Sequence, residues 1–208
     1  MARAILISSS GCFANQRPAR STKPPPTPLG LHAVAKSATE ALAETLRAEF
    51  GRDVAAIRLS SIYGPGELPR PTRPRVSPIG RMVAQALETG VVRVYRDDPA
   101  RDWTYAPDVG RAVVTLVSVP VLNHALYNVA SGHVRTPLEV AETIASALGG
   151  IRVMALDGAD PAAPPLTRLG VLTHARLTAD TGFSDWTPFE EGIAATAAWA
   201  RAQMEPVS

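Results

Sequence analysis

His32 and Lys36 are the two side chains of this sequence best spaced for proton chemistry. Residues four apart on a helix stand one turn apart on the same face, so an imidazole and an ammonium there address one pocket. A neutral imidazole accepts a proton near pH 7, the work of a general base. A solvated helix face carries the same two residues for no catalytic reason, so the pair takes its meaning from its surroundings. Upstream, Ser8-Ser9-Ser10 closes the apolar run Ala4-Ile5-Leu6-Ile7 and sets hydroxyls at the end of a short strand. Downstream, Tyr63-Gly64-Pro65-Gly66 is a tight loop: the glycines supply backbone freedom and the proline fixes the turn.

Alternating strands and helices must position these groups. The spacing predicts a strand over Ala4 to Ile7 and an extended, proline-rich loop over Arg17 to Pro28. A helix is expected from Leu31 to Phe50, with Val34, Ala38, Leu42 and Leu46 as its packing stripe and Gly51 as its stop. Val54 to Leu59 reads as the next strand. Pro69, Pro71 and Pro74 then hold a basic loop open before a helix over Ile79 to Glu88 and a strand over Val91 to Tyr95. A helix over Pro107 to Ser118 and a strand over Leu126 to Val129 follow. Thr136-Pro137-Leu138-Glu139 is a helix start in which threonine caps, proline fits the first turn and glutamate reaches back. Thr187-Pro188-Phe189-Glu190 repeats that logic before a helix running through Trp199. The fold class expected is α/β with a smaller C-terminal lobe.

Composition narrows the function classes. The chain has 208 residues, 46% of them hydrophobic and 19% charged, which suits one substantial buried core with a satellite lobe. No run approaches the roughly eighteen apolar residues of a membrane span, and no secretory signal is apparent, so a cytoplasmic location is expected. The net charge is +2, and Lys23 and Lys36 are the only lysines. Arg70, Arg73, Arg75 and Arg81 form the densest basic run. Their planar donor forks suit a phosphate-bearing small molecule or a solvated loop. No aromatic interleaving accompanies them, which argues against nucleic acid. Cys12 is alone and the four histidines are scattered, so neither a disulfide nor a metal site is expected.

Taken in order, these segments resemble the middle and end of the extended short-chain dehydrogenase/reductase family, the NAD-dependent epimerase/dehydratase group. Two later segments add to the resemblance: Arg101-Asp102-Trp103-Thr104-Tyr105-Ala106-Pro107-Asp108-Val109 and Leu126-Tyr127-Asn128-Val129-Ala130-Ser131-Gly132. It implies a truncated Rossmann-like parallel sheet with a smaller C-terminal substrate lobe. The whole chain forms one such unit, with residues 66–104 and 120–190 supplying much of the lobe. The implied chemistry is that of a sugar-nucleotide epimerase, dehydratase or reductase using NAD or NADP. Ser10, or its neighbour Ser9, would orient the reacting oxygen. His32 stands where the family has tyrosine and would transfer the proton, while Lys36 would hold cofactor ribose. Ile62 would line the cofactor, and Tyr63 and Arg101 the substrate, with Arg101 on its phosphates. Asp102 is placed to pair with an arginine, and Asp108 to support local structure.

The Gly-rich dinucleotide turn of the family's N-terminal half has no counterpart here. The strand over Ala4 to Ile7 would therefore be a sheet edge, and such an edge calls for a homo-oligomer or a complementary N-terminal chain. Two other functions fit the same residues: a cofactor-independent binding or assembly protein, and a small isomerase or lyase using His32.

Overall fold

The computed structural model describes residues 3–13, 30–69, 71, 76–161 and 171–204. The expected loop over Arg17 to Pro28 and the arginines at 70, 73 and 75 lie outside the described residues. In chain order the elements are β1 (Ala4–Ser9), a 3-10 turn (Ser10–Phe13), α1 (Gly30–Ala48), β2 (Val54–Leu59), β3 (Ser61–Tyr63) and α2 (Pro78–Thr89). They continue with β4 (Val91–Tyr95), β5 (Arg101–Tyr105), α3 (Ala106–Ser118), β6 (Leu126–Val129), β7 (Val134–Arg135) and α4 (Pro137–Leu148). Last come β8 (Arg152–Leu156), α5 (Ala175–Thr181) and α6 (Phe189–Met204).

The chain divides into two compact units. The first takes its described residues from Met1–Ser61, Arg101–Val134 and Thr167–Trp186. Its sheet is parallel in the order β1-β2-β6, with Leu6 opposite Ala56, Ser8 opposite Arg58 and Ile57 opposite Tyr127. Central strand β2 is covered on both faces, as a parallel α/β sheet requires. Ala55 and Ile57 join Ala112 and Leu116 of α3, Leu122, Tyr127, Val129, Leu177 and Phe183 in one core. Val54 and Ala56 face Ala43 of α1, with Leu6, Leu46 and Leu126 at the margin. Alternate β2 side chains thus point to opposite helices, and Arg58 follows Val54 and Ala56 onto the α1 side.

The second unit takes Ile62–Ala100, Arg135–Leu166 and Thr187–Ser208 as far as they are described. Here β4 and β8 pair in parallel, Val91 opposite Arg152 through Tyr95 opposite Leu156. The start of α4 follows the sequence logic, and α2 has a cap of its own. Ser77 Oγ accepts from Gly80 N at 3.0 Å ahead of Pro78. Thr136 Oγ1 accepts from Glu139 N at 3.2 Å while Glu139 Oε2 accepts from Thr136 N at 2.7 Å, a complete capping box. Gly90 closes α2 at φ 69°, a left-handed angle that glycine adopts without a Cβ clash.

Of the segments expected to supply much of the lobe, 66–100, 135–166 and 187–190 fall in the second unit as far as they are described, and 101–104, 120–134 and 167–186 in the first. Strand β6 and helix α5 sit in the first unit, because β6 hydrogen-bonds to β2 and Leu177 of α5 fills the core beneath it. The expected stripe of α1 also needs correction. Val34 and Leu42 are 51% and 52% exposed, Ala38 is exposed, and the buried residues are Ala33, Glu40 and Ala43. Two alanines let the helix lie close to the sheet, and a carboxylate takes a core position because an arginine waits beneath it. Among the described residues no helix is long and apolar enough to cross a membrane.

Candidate active site

At the end of β1 the chain turns sharply through Ser10–Phe13, and the first turn of α1 comes down beside it. Ser9 is half-buried, and its Oγ accepts from Gly11 N at 3.1 Å. A methyl group on Gly11 would lie 3.3 Å from Ser9 Oγ, 3.4 Å from His32 Cδ2 and 3.7 Å from His32 Nε2. The hydroxyl and the imidazole therefore flank one small space, which the absence of a side chain at Gly11 keeps open. Ser10, the better match by resemblance, is only 4% exposed, so Ser9 is the hydroxyl that shares this space with His32.

One turn along α1, Lys36 Nζ donates to the Ile7 carbonyl at 2.8 Å. Ser9, His32 and Lys36 thus gather at the carboxyl end of β1, the side of a parallel α/β sheet on which ligands bind. Beneath them Glu40 of α1 meets Arg58 and Ser8, a group the sequence reading passed over. The signal was present: Glu40 continues the four-residue spacing of His32 and Lys36 into the buried face.

Ile62 and Tyr63 belong to the second unit. The Tyr63 ring packs on Phe189 with centroids 5.5 Å apart, and its hydroxyl donates to the Phe189 carbonyl at 3.5 Å. Tyr63 is 2% exposed in this unit. Arg101 opens β5 and is half-buried.

The neighbouring Asp102 does not pair with an arginine, contrary to expectation. Its Oδ1 accepts from Gly132 N at 3.3 Å and Ser131 Oγ at 3.4 Å, and its Oδ2 from Leu172 N at 3.4 Å. Burial pushes this carboxyl up to about 6, and hydrogen bonds from Leu172, Gly132, Ser131 and Ser60 only partly offset the lost hydration. Beside it, Thr104 Oγ1 accepts from Ser131 N at 2.8 Å and stands 2.7 Å from Ser60 Oγ. Residues just beyond the carboxyl ends of β2 and β6 are thereby tied to β5. Asp108 forms the local support expected of it, an ion pair with Arg111 at 2.9 Å. Among the described residues no group of three or more His, Cys, Asp or Glu side chains is placed to hold a metal ion.

A parallel sheet with helices on both faces and polar groups at its carboxyl end defines a Rossmann-like α/β protein. The chain belongs to the NAD dependent epimerase/dehydratase family, whose model matches residues 1–130. Its relatives include a UDP-glucuronate 4-epimerase of Thermodesulfobacterium geofontis, 25% identical over 97% of this chain and 60% of that one. A dTDP-4-dehydro-6-deoxy-D-allose reductase of Streptomyces bikiniensis is 30% identical over 82% of this chain and 50% of its own. The chain therefore spans about half to three-fifths of the length of the relatives it matches. Among solved structures, MoeE5 in complex with UDP-glucuronic acid and NAD superposes with a TM-score of 0.77 at 27% identity, covering 98% of this chain and 66% of that one. The UDP-N-acetylglucosamine 4-epimerase of Methanobrevibacter ruminantium M1 has a TM-score of 0.83 at 22% identity, with 98% and 64% covered, and shares the fold.

Proposed function

We propose that this chain carries the proton-transfer and substrate-phosphate groups of a cytoplasmic, nicotinamide-dependent enzyme acting on the sugar of a sugar nucleotide. The observation that carries this reading is the Ser9–His32 space above Gly11, with Lys36 beside it at the carboxyl end of β1. The described residues fit the ribose–nicotinamide end of the cofactor, since an ammonium at a strand end suits ribose hydroxyls. Among them there is no Gly-rich strand-to-helix turn to offer N–H groups to a pyrophosphate. That end of the site falls to a dinucleotide-binding segment, from a longer form of this chain or from a partner.

Bound NAD or NADP supplies the hydride acceptor or donor. The chain's own residues do the rest. His32 takes the proton from the reacting sugar hydroxyl, and Ser9, with Ser10 behind it, orients that oxygen. Lys36 fixes the cofactor ribose, and Arg101 meets the diphosphate through its donor fork.

Equilibrium binding of NAD⁺, NADH, NADP⁺ and NADPH, with molar mass recorded in the same samples, tests the first half. It is run on the chain alone and with a family N-terminal segment added. Saturable binding in either sample is expected, followed by turnover in a panel of UDP- and dTDP-sugars. Folded protein that binds neither nucleotide nor sugar nucleotide in both samples would refute the reading. Catalysis without nicotinamide, abolished by His32→Ala, would point instead to a small isomerase or lyase.

A further inference from the structure

Lys36 and Glu40 stand four residues apart on α1, the spacing at which an ammonium and a carboxylate close an ion pair over one turn. They do not pair. Lys36 Nζ donates to Ile7 O at 2.8 Å, and Glu40 turns into the layer between helix and sheet. There Glu40 Oε1 accepts from Arg58 Nε at 2.6 Å and from Ser8 Oγ at 2.5 Å, and Oε2 accepts from Arg58 Nη2. The Arg58 side chain has no exposed surface and that of Glu40 keeps 9%. Ser8 and Arg58 are register partners on neighbouring strands, so both strands present their donors to the same carboxylate. Well-packed apolar residues in place of a buried ion pair are often as stable, so stability alone is a weak reason for this one.

We propose that Arg58 is a positioning residue that keeps Glu40 away from Lys36. By engaging both carboxylate oxygens it leaves the Lys36 ammonium uncompensated beside Ser9 and His32, where it can meet a ribose hydroxyl. The inference rests on the reading that Lys36 belongs to the site, but its test requires no turnover. With Arg58 gone, the freed carboxylate captures the ammonium one turn back along the helix.

The chain has two lysines, so acylation of Lys36 by an N-hydroxysuccinimide ester at fixed pH can be followed by peptide mass spectrometry with Lys23 as internal reference. An ion-paired ammonium gives up its proton less readily and reacts more slowly. Arg58→Met is expected to slow Lys36 relative to Lys23 by about two- to fivefold, the factor an ion pair near the surface carries. The double variant Arg58→Met/Glu40→Gln is expected to return to the parent rate. An unchanged Lys36 rate in folded Arg58→Met would overturn the proposal. So would slowing that persists in the double variant, since that would mark a packing effect. If Arg58→Met does not fold, Arg58→Lys carries the test: one ammonium cannot hold both oxygens, so a smaller slowing of about twofold is expected, and none would be fatal. Failure here removes the role of Arg58 alone, whereas absent nicotinamide binding removes the reading it rests on.

Discussion

Gly11 is the residue on which the geometry of the candidate site turns. An alanine methyl there would sit 3.3–3.4 Å from Ser9 Oγ and the His32 ring, tight enough to push the imidazole aside. Gly11→Ala is expected to lower the proposed sugar-nucleotide turnover by roughly tenfold or more, the scale of a sub-ångström to ångström misplacement, with little change in unfolding free energy. Steady-state kinetics beside a denaturant titration separates the two effects, and unaltered turnover would mean the space is not used. His32→Gln is expected to cost about 10²- to 10⁴-fold in kcat, the usual worth of a general base, while leaving sugar-nucleotide affinity near that of the parent. Asp102 makes a prediction in pH. Its folded-state carboxyl, at about 6, lies above the ordinary 3.8, so protonation favours the folded chain. That stabilisation is complete below about pH 4 and is lost as pH rises through 6. Between pH 5 and 7 the parent should lose about 1 kcal/mol that Asp102→Asn, which cannot titrate, does not lose. Parallel urea titrations of the two proteins at both pH values check it, and equal slopes would exonerate Asp102.

At the scale of elements, Arg3 ties the start of β1 to the end of α3. Its Nη1 donates to the Leu116 carbonyl at 2.7 Å and the Val119 carbonyl at 2.6 Å, and its Nε to both oxygens of Asp53. These are the carbonyls a helix leaves unpaired at its C-terminus, where a cation is also favoured by the dipole. Arg3→Met is expected to cost about 2–3 kcal/mol of stability, the worth of charged hydrogen bonds at a largely buried side chain, read from the urea midpoint. A loss under about 0.5 kcal/mol would mean that water replaces the arginine. Elements of this kind were unevenly legible. Strands β2, β4 and β6 and the capped start of α4 could be read because short apolar runs, and a threonine followed by Pro and then Glu at a first turn, are local signals. Strand β5 begins Arg-Asp and offers no clear apolar run, being a strand through pairing and burial, whereas β8 carries Val153-Met154-Ala155-Leu156 close behind two glycines and is held by its pairing with β4. The stripe of α1 was misread for a similar reason. Hydrophobicity picks Val34 and Leu42, but the helix is seated by Glu40 on Arg58, a contact between residues eighteen apart that no local pattern carries. At the site, His32 and Lys36 were legible from helical spacing, whereas the choice between Ser9 and Ser10 depended on how the turn folds.

For the whole molecule, the decisive feature is the free side of β1. Among the described residues β1 pairs only with β2, and Ile7 near its end is 45% exposed. An unpaired parallel edge beside an apolar side chain is a template for another strand, and charge on the edge is the ordinary defence against such pairing. The edge adjoins the ends of Ser9, His32 and Lys36, so a strand added there would also complete the wall of the candidate site. The 22.0 kDa chain is accordingly expected to self-associate or to take up a dinucleotide-binding segment through β1. Ile7→Lys should then shift the mass seen by sedimentation equilibrium toward that of the single chain without unfolding it. It should also weaken uptake of the added segment, together with the nicotinamide binding proposed to follow it. If Ile7→Lys changed neither mass nor uptake, β1 would not be the joining edge, and the cofactor site would have to be completed from another face. If it abolished both while Lys36 labelling stayed at the parent rate, the half-site at the end of β1 would be shown to form within this chain, and only the pyrophosphate cradle would be borrowed.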